Sequence, residues 1–228
     1  MFTDLTDTFR KLDEILLAHP AYVSISYDTD LAALEPLAGY LAEWCGFLSS
    51  RPELSVEVRT KCASLSVLRS LPVLPNMIFA FTLSPEEVIS KYEHGTPGLA
   101  ARIQAAAEAL SEGRPVRLCF DPVLKIPDFE AVYRKMYRTV FAALPADKLL
   151  DCSLGVFRIG RDYLKNMRDL RESAVTCYPY TLADGVYRYD RKTEERLLTV
   201  SREQLLRFLP EEKLFIWGGT EDSGAART

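Results

Sequence analysis

Residues 77–87 read Met77-Ile78-Phe79-Ala80-Phe81-Thr82-Leu83-Ser84-Pro85-Glu86-Glu87, and their order decides the fold. The first six are apolar up to the closing Thr82, a short run of the kind that forms a strand buried on both faces. Ser84-Pro85-Glu86-Glu87 then reads as a helix start, with Pro at the first helical position and acids in the first turn. A buried strand feeding directly into a helix is half of a parallel βα unit.

The pattern repeats in both directions. Residues 54–60 (LSVEVRT) are strand-like and lead to a short helix over 63–70. Residues 116–120 form a strand with a helix over 129–144, and 152–159 (CSLGVFRI) a strand with a helix over 161–171. A further helix fills 99–110 and stops at Gly113. Towards the N-terminus, Leu5, Phe9, Leu12 and Leu16 recur at helical spacing, with Thr3 or Asp4 as cap and His19-Pro20 as stop. A strand over 22–27 and a helical run over 31–49 follow. Five strands alternating with helices predict a parallel sheet with right-handed crossovers.

The C-terminal third differs. Residues 178–190, YPYTLADGVYRYD, carry alternating aromatics around Ala183-Asp184-Gly185 and predict a hairpin. A helix near 202–208 and the run Leu214-Phe215-Ile216-Trp217 come next, and the tail 218–228 is polar enough to expect disorder. The expected organisation is a partial parallel β/α barrel over 1–176, a Tyr-rich hairpin and helix packed on it over 177–217, and the tail.

Composition narrows the function classes. Of 228 residues, 48% are apolar and 26% charged, ordinary for a chain with one real core. Twenty-eight basic against 32 acidic residues give a net charge of −4, so a general basic field for nucleic acid is missing and phosphate contacts need a local patch. Two histidines, His19 and His94, and no HExxH exclude zinc-protease chemistry. The cysteines, at 45, 62, 119, 152 and 177, show no close metal spacing. With no signal-peptide-like opening and no long apolar span, the expectation is a cytoplasmic protein with reduced thiols and no membrane partner.

Nothing matches GxxxxGK[ST], GxGxxG or GxSxG, so nucleotide and hydrolase readings have no anchor. Polar groups instead gather where strands end: Tyr27-Asp28-Thr29-Asp30, Thr60-Lys61, Thr82-Leu83-Ser84, Phe120-Asp121 and Arg158. In open α/β sheets and barrels that edge carries the site. Asp28, Asp30 and Asp121 are candidates for an acid–base or Mg²⁺ cluster, although Asp28 and Asp30 share one face of an extended segment while Tyr27 and Thr29 share the other. Lys61 either reaches out to water or receives a ligand carboxylate. Arg161, Lys165 and Arg168, with Arg158 and Arg171 nearby, lie along one helical face, either simply solvated or a phosphate-binding surface.

Arg59-Thr60-Lys61, the segments TLSPEEVI and YEHGTP, RPVRLCFDPVL and SLGVFRIGRDYLKNMR together resemble the spore photoproduct lyase family of radical S-adenosylmethionine proteins, over about residues 4–217. The resemblance implies a partial (β/α)6 TIM-like barrel, here lacking its first strand. It implies Lys61 as the cofactor-binding lysine, with Thr29, Thr82 and the neighbouring Ser84 as cofactor contacts. Tyr27 stands where the family has its hydrogen-donating cysteine. The family's CxxxCxxC loop, whose thiolates hold a [4Fe–4S] cluster, has no counterpart among the five cysteines, so no metal ligands are assigned. The resemblance thus implies a truncated or split radical enzyme related to DNA-repair lyases, inactive alone, with residual S-adenosylmethionine binding. The alternative is a stand-alone, non-catalytic descendant that binds a ligand or partner. Implied partners are DNA, held weakly through Arg158, Arg161, Lys165 and Arg168, and either the missing cluster segment or a second copy at the open strand edge.

Overall fold

The computed structural model describes residues 4–26 and 29–217. The chain runs through α1 (Thr6–Leu16), β1 (Ala21–Ser24), α2 (Leu31–Ala38), α3 (Tyr40–Leu48), β2 (Leu54–Thr60), α4 (Leu65–Ser70), β3 (Met77–Thr82), α5 (Glu86–Tyr92), α6 (Leu99–Ser111), β4 (Val116–Val123), α7 (Phe129–Ala143) and β5 (Asp151–Val156). An insertion of β6 (Arg158–Gly160), α8 (Arg161–Leu170), β7 (Thr181–Ala183) and β8 (Val186–Arg188) precedes α9 (Arg191–Leu205) and β9 (Leu214–Trp217).

Six strands pair in parallel in the order β1-β2-β3-β4-β5-β9, a half barrel. A second, antiparallel sheet has the order β6-β8-β7. Alternation within each strand separates two faces. Leu54, Val56 and Val58, then Met77, Phe79 and Phe81, then Val116, Leu118 and Phe120, and finally Leu154 and Val156 join the main apolar core, with the helices packed over them. Truncating a ring such as Phe79 or Phe81 to Ala would cost about 3–5 kcal/mol. The intervening residues, Glu57, Arg59, Ala80, Arg117, Cys119, Asp151 and Ser153 among them, face the concave side.

The expected α/β partial barrel is what forms, with three local differences. Residues 31–49 break into α2 and α3 at Gly39, whose φ is +67°, because the Glu35 carboxylate accepts from the Leu41 and Ala42 N–H groups (2.6 and 3.0 Å) and starts a new helix there. Residues 152–159 do not stay in one sheet: after Phe157 the backbone leaves β5 and pairs with β8. The charged stretch before 202 is helical from Arg191 onward, capped by Asp190, and β9 joins β5 as a sixth parallel strand. The hairpin turn falls at Asp184 and Gly185, with φ of 50° and 77°. Among the described residues no helix is long and apolar enough to cross a membrane.

Arg114 fastens the lower end of the sheet. It is almost wholly buried, donates to the carbonyls of Leu68, Leu71 and Pro72 (2.8, 2.7 and 2.9 Å) and pairs with Glu112. Arg114→Met leaves the Leu71 and Pro72 carbonyls without donors, the Leu68 carbonyl keeping the Leu71 N–H at 3.2 Å, and is expected to lower unfolding stability by about 3 kcal/mol in urea titration, with native circular dichroism retained below the transition.

Candidate functional site

The concave face is charged at every level. At its lower end Arg117 pairs with Asp151, in register beside it on β5, and crosses β3 to Glu57 on β2. The β3 residue in register with Arg117 is Ala80, so only a methyl stands in the way. Tyr22 on β1 completes the group by donating to Glu57 at 2.6 Å. Burial alone would raise the Glu57 carboxyl, but the Tyr22 hydrogen bond and the Arg59 and Arg117 guanidiniums outweigh it and hold it below the ordinary range. One row higher Cys119 is fully buried, which pushes its thiol up to about 11 and keeps it protonated.

At the carboxyl edge Lys61 follows β2. Its place is set by Asp30, which caps α2 through the Ala33 N–H (3.2 Å) and also accepts from Thr60 Oγ1 (2.7 Å), the Lys61 N–H (2.8 Å) and the Cys62 N–H (3.2 Å). Lys61 Nζ lies 3.2 Å from Glu93. The same carboxylate takes Arg102 Nη2 at 2.6 Å and the Ser84 hydroxyl at 2.7 Å. Arg102 is fully buried and further donates to the carbonyls of Thr82 (3.0 Å) and Pro97 (2.8 Å) and to Thr96 Oγ1 (2.8 Å). Burial pushes the Glu93 carboxyl up, but Lys61, Arg102 and Ser84 bring it below its ordinary value.

Of the residues expected at the cofactor edge, Lys61, Thr82 and Ser84 come together around Glu93 and Arg102. Thr29 is exposed, its carbonyl accepting from Ser26 Oγ at 2.8 Å. Tyr27 and Asp28 lie outside the described residues. A three-carboxylate cluster is not built: Asp30 is used up as a cap, Asp121 pairs with Arg59 (3.7 Å) and Arg158 (3.5 Å), and among the described residues no three His, Cys, Asp or Glu groups could hold a metal.

The basic helix face divides into parts. Arg158 turns into the barrel mouth towards Asp121, whereas Arg168 donates to the Thr176 carbonyl at 2.6 Å and holds the segment after α8. Arg161 and Lys165 face solvent. Tyr178, Tyr180 and Tyr189 pack on one another with ring centroids 4.9–5.3 Å apart, and Tyr189 is 3% exposed, so these rings fill a small core instead of offering stacking surfaces.

Sequence reading passed over Glu57, Arg117 and Asp151, although charged residues alternating with apolar ones inside LSVEVRT and VRLCFD mark a polar inner face. Glu93 and Arg102, nine positions apart on a loop and a helix, gave no such signal.

A family model for spore photoproduct lyase matches residues 18–184. The chain belongs to the spore photoproduct lyase family. It is 25% identical to the spore photoproduct lyase of Bacillus subtilis (strain 168) over 146 residues, 60% of this chain and 43% of that protein. Among solved structures, a substituted spore photoproduct lyase with bound AdoMet and dinucleoside spore photoproduct superposes with a TM-score of 0.80 at 16% identity, over 93% of this chain and 66% of that one. A spore photoproduct lyase complexed with dinucleoside spore photoproduct gives the same values. The chain thus spans less than half of its curated relative and about two thirds of the solved ones, and the structural likeness carries the half-barrel fold.

The two depressed carboxyls predict acid sensitivity. The stabilisation from Glu57 and Glu93 is fully present above the ordinary glutamate value of 4.5 and is lost as pH falls through their lower folded values. Urea midpoints are expected to fall between pH 6 and about pH 3, and to fall less in Glu93→Gln, which starts lower at pH 6.

Proposed function

We propose that the carboxyl edge of β2 and β3 binds S-adenosylmethionine through its amino-acid carboxylate. The observation that carries this reading is the charge balance at Glu93. Arg102, fully buried, already neutralises that carboxylate at 2.6 Å. Lys61, 34% exposed and 3.2 Å away, is a second cation on one anion and can take a ligand carboxylate without leaving Glu93 uncompensated. Thr82 and Ser84 line the same edge, and Thr29 directly precedes Asp30, the cap of α2. A sulfonium cofactor held here supplies an activated C–S bond. The protein's part is to fix the carboxylate end and orient the rest.

The residues do not fit a [4Fe–4S] cluster. Cys45, Cys119 and Cys152 are buried, Cys45 with its thiol 3.6 Å from the Met77 sulfur, whereas Cys62 is half-buried and Cys177 exposed. A cubane needs several thiolates around one site, and these five cysteines do not converge on one. In this reading the chain, a member of a radical S-adenosylmethionine DNA-repair lyase family, binds the cofactor without cleaving it unaided. The cysteine arrangement equally favours a second reading, a non-catalytic member that keeps the ligand edge. The two differ in whether a partner strand, taken at the outer edge of β1, brings cluster thiolates.

Calorimetry is expected to detect S-adenosylmethionine binding that falls at least tenfold in Lys61→Ala, and iron–sulfur reconstitution to give no stoichiometric four-iron cluster. Undiminished binding in Lys61→Ala removes this site, and a four-iron cluster lost on replacing any one cysteine overturns the cluster conclusion.

We further propose that DNA is a weakly held partner, in keeping with the dinucleoside bound by solved relatives. Arg161 and Lys165 are the exposed cations of the expected patch. Two phosphate contacts give a log–log salt slope of about two. Salt titrations of duplex binding are expected to show that slope, and Arg161→Ala with Lys165→Ala to abolish it. Binding indifferent to salt counts against the patch.

A further inference from the structure

β9 ends the parallel sheet. Among the described residues it pairs with β5 alone, so the N–H and C=O groups that point outward along its far edge have no strand to meet. Its residues are Leu214, Phe215, Ile216 and Trp217, and the last three are 39%, 39% and 52% exposed. Proteins ordinarily blunt a free edge with charge, proline or a bulge. β9 carries no charge and no proline, and its register with β5 is unbroken. The opposite edge differs, because on β1 the Tyr22 hydroxyl is engaged by Glu57 and Arg117.

The segment that follows β9 offers no apolar cover, since residues 218–228 (GGTEDSGAART) include no apolar side chain larger than alanine. A strand from another chain is what fits, and β9 is complementary to itself. Charged surfaces of a chain with net charge −4 repel one another, whereas an uncharged strand lets two copies approach without that cost. The side chains also match. Ile216 is in register with Leu154 and lies on the helix-covered face, while Phe215 and Trp217, in register with Ser153 and Gly155, lie on the concave face. Antiparallel pairing across a two-fold axis keeps these faces together when the axis passes at Ile216. Ile216 then meets the partner's Ile216, and Phe215 meets the partner's Trp217 on the concave side, twice. A frame centred on Phe215 instead brings Lys213 against the partner's Trp217, and Lys213 is already tied to the carbonyls of Ala146, Asp147 and Leu149.

We propose that β9 is a self-association edge through which two copies of this chain join their half barrels into one twelve-stranded sheet, with the two-fold axis at Ile216. The exposed parts of the three side chains amount to roughly 500–600 Å² over both copies, short of the ~1,000 Å² of a stable interface. The dimer is therefore a transient one, with a dissociation constant on the order of 10⁻⁴ M. The contact is isologous and closes at two copies. It goes beyond the cofactor reading and does not depend on it, for it leaves both Lys61 and the outer edge of β1 free.

Sedimentation equilibrium of the full 228-residue chain, from micromolar to millimolar concentration, is expected to show monomer and dimer with no larger species. Trp44 is buried against Phe9 and Phe47, so a red shift of tryptophan emission on dilution reports Trp217 leaving the interface. Ile216→Lys sets two ammonium groups opposite each other at the axis and is expected to weaken the dimer at least tenfold. Cross-linking fixes the frame independently. In a Cys177→Ser background, which removes the exposed native thiol, Ile216→Cys places two thiols directly opposite, with Cβ atoms about 5 Å apart, and mild oxidation is expected to give a covalent dimer. Phe215→Cys meets its own copy two positions off, about 7 Å away, and is expected to give little. Circular dichroism of each variant checks folding. A chain that stays monomeric throughout the range, a dimer undiminished by Ile216→Lys, or equal cross-linking of the two cysteine variants overturns the proposal.

Discussion

Arg117 lies across β3 and holds a carboxylate on each side, Glu57 on β2 and Asp151 on β5. A half barrel leaves its inner face without helices to cover it, and this chain fills the lower part of that face with charge. The arrangement stands only because every member is paired, Glu57 being further supplied by the Tyr22 hydroxyl. Removing one partner of a buried ion pair typically costs 3–5 kcal/mol, since the remaining charge is stranded, whereas exchanging the whole group for apolar side chains can be neutral. The network therefore does more to tie four strands into one register than to add net stability, and with its charges satisfied at the bottom, reactive polarity is confined to the rows above.

Those upper rows follow one logic, in which a fully engaged group positions a partly engaged one. Asp30 spends its oxygens on the α2 cap and the end of β2, and so aims Lys61 into the mouth. Arg102 spends its donors on carbonyls, a hydroxyl and Glu93, and so fixes the carboxylate beside which Lys61 rests. The side chains left with spare capacity, Lys61, Arg59, Arg158 and Asp121, are those that the engaged ones surround.

Sequence reading located the strands because runs of six or seven residues, apolar throughout or alternating apolar with polar, are a local signal; β2 and β3 fall where LSVEVRT and MIFAFT predict. It placed Lys61, Thr82 and Ser84 at the carboxyl edge because strand ends are legible from the same pattern. It could not find Arg102 or Glu93, whose pairing depends on a loop closing in three dimensions. It also joined 152–159 into one strand, because nothing in CSLGVFRI says that the backbone changes sheets after Phe157. Trp217 was assigned to a C-terminal appendage; its place beside Gly155 follows only from β9 pairing with β5, a contact between residues more than sixty positions apart.

That pairing also fixes how the two flanks of the concave face relate. Neighbouring strands lie about 4.8 Å apart, so Lys61, after β2, and Asp121, on β4, are separated by two strand intervals, about 10 Å along the curved sheet. Trp217, two intervals further, is about 19 Å from Lys61 by the same measure. Lys61 and the exposed Trp217 ring thus stand at opposite flanks of one sheet face. Between them stand β3 and β4, which offer only the short side chains of Thr82 and Cys119 in their shared row. The small residues along the middle of the sheet, Ala80 below them included, let Arg59 on β2 reach across β3 to Asp121 on β4, so short side chains on the central strands are what allow charges on the outer ones to meet.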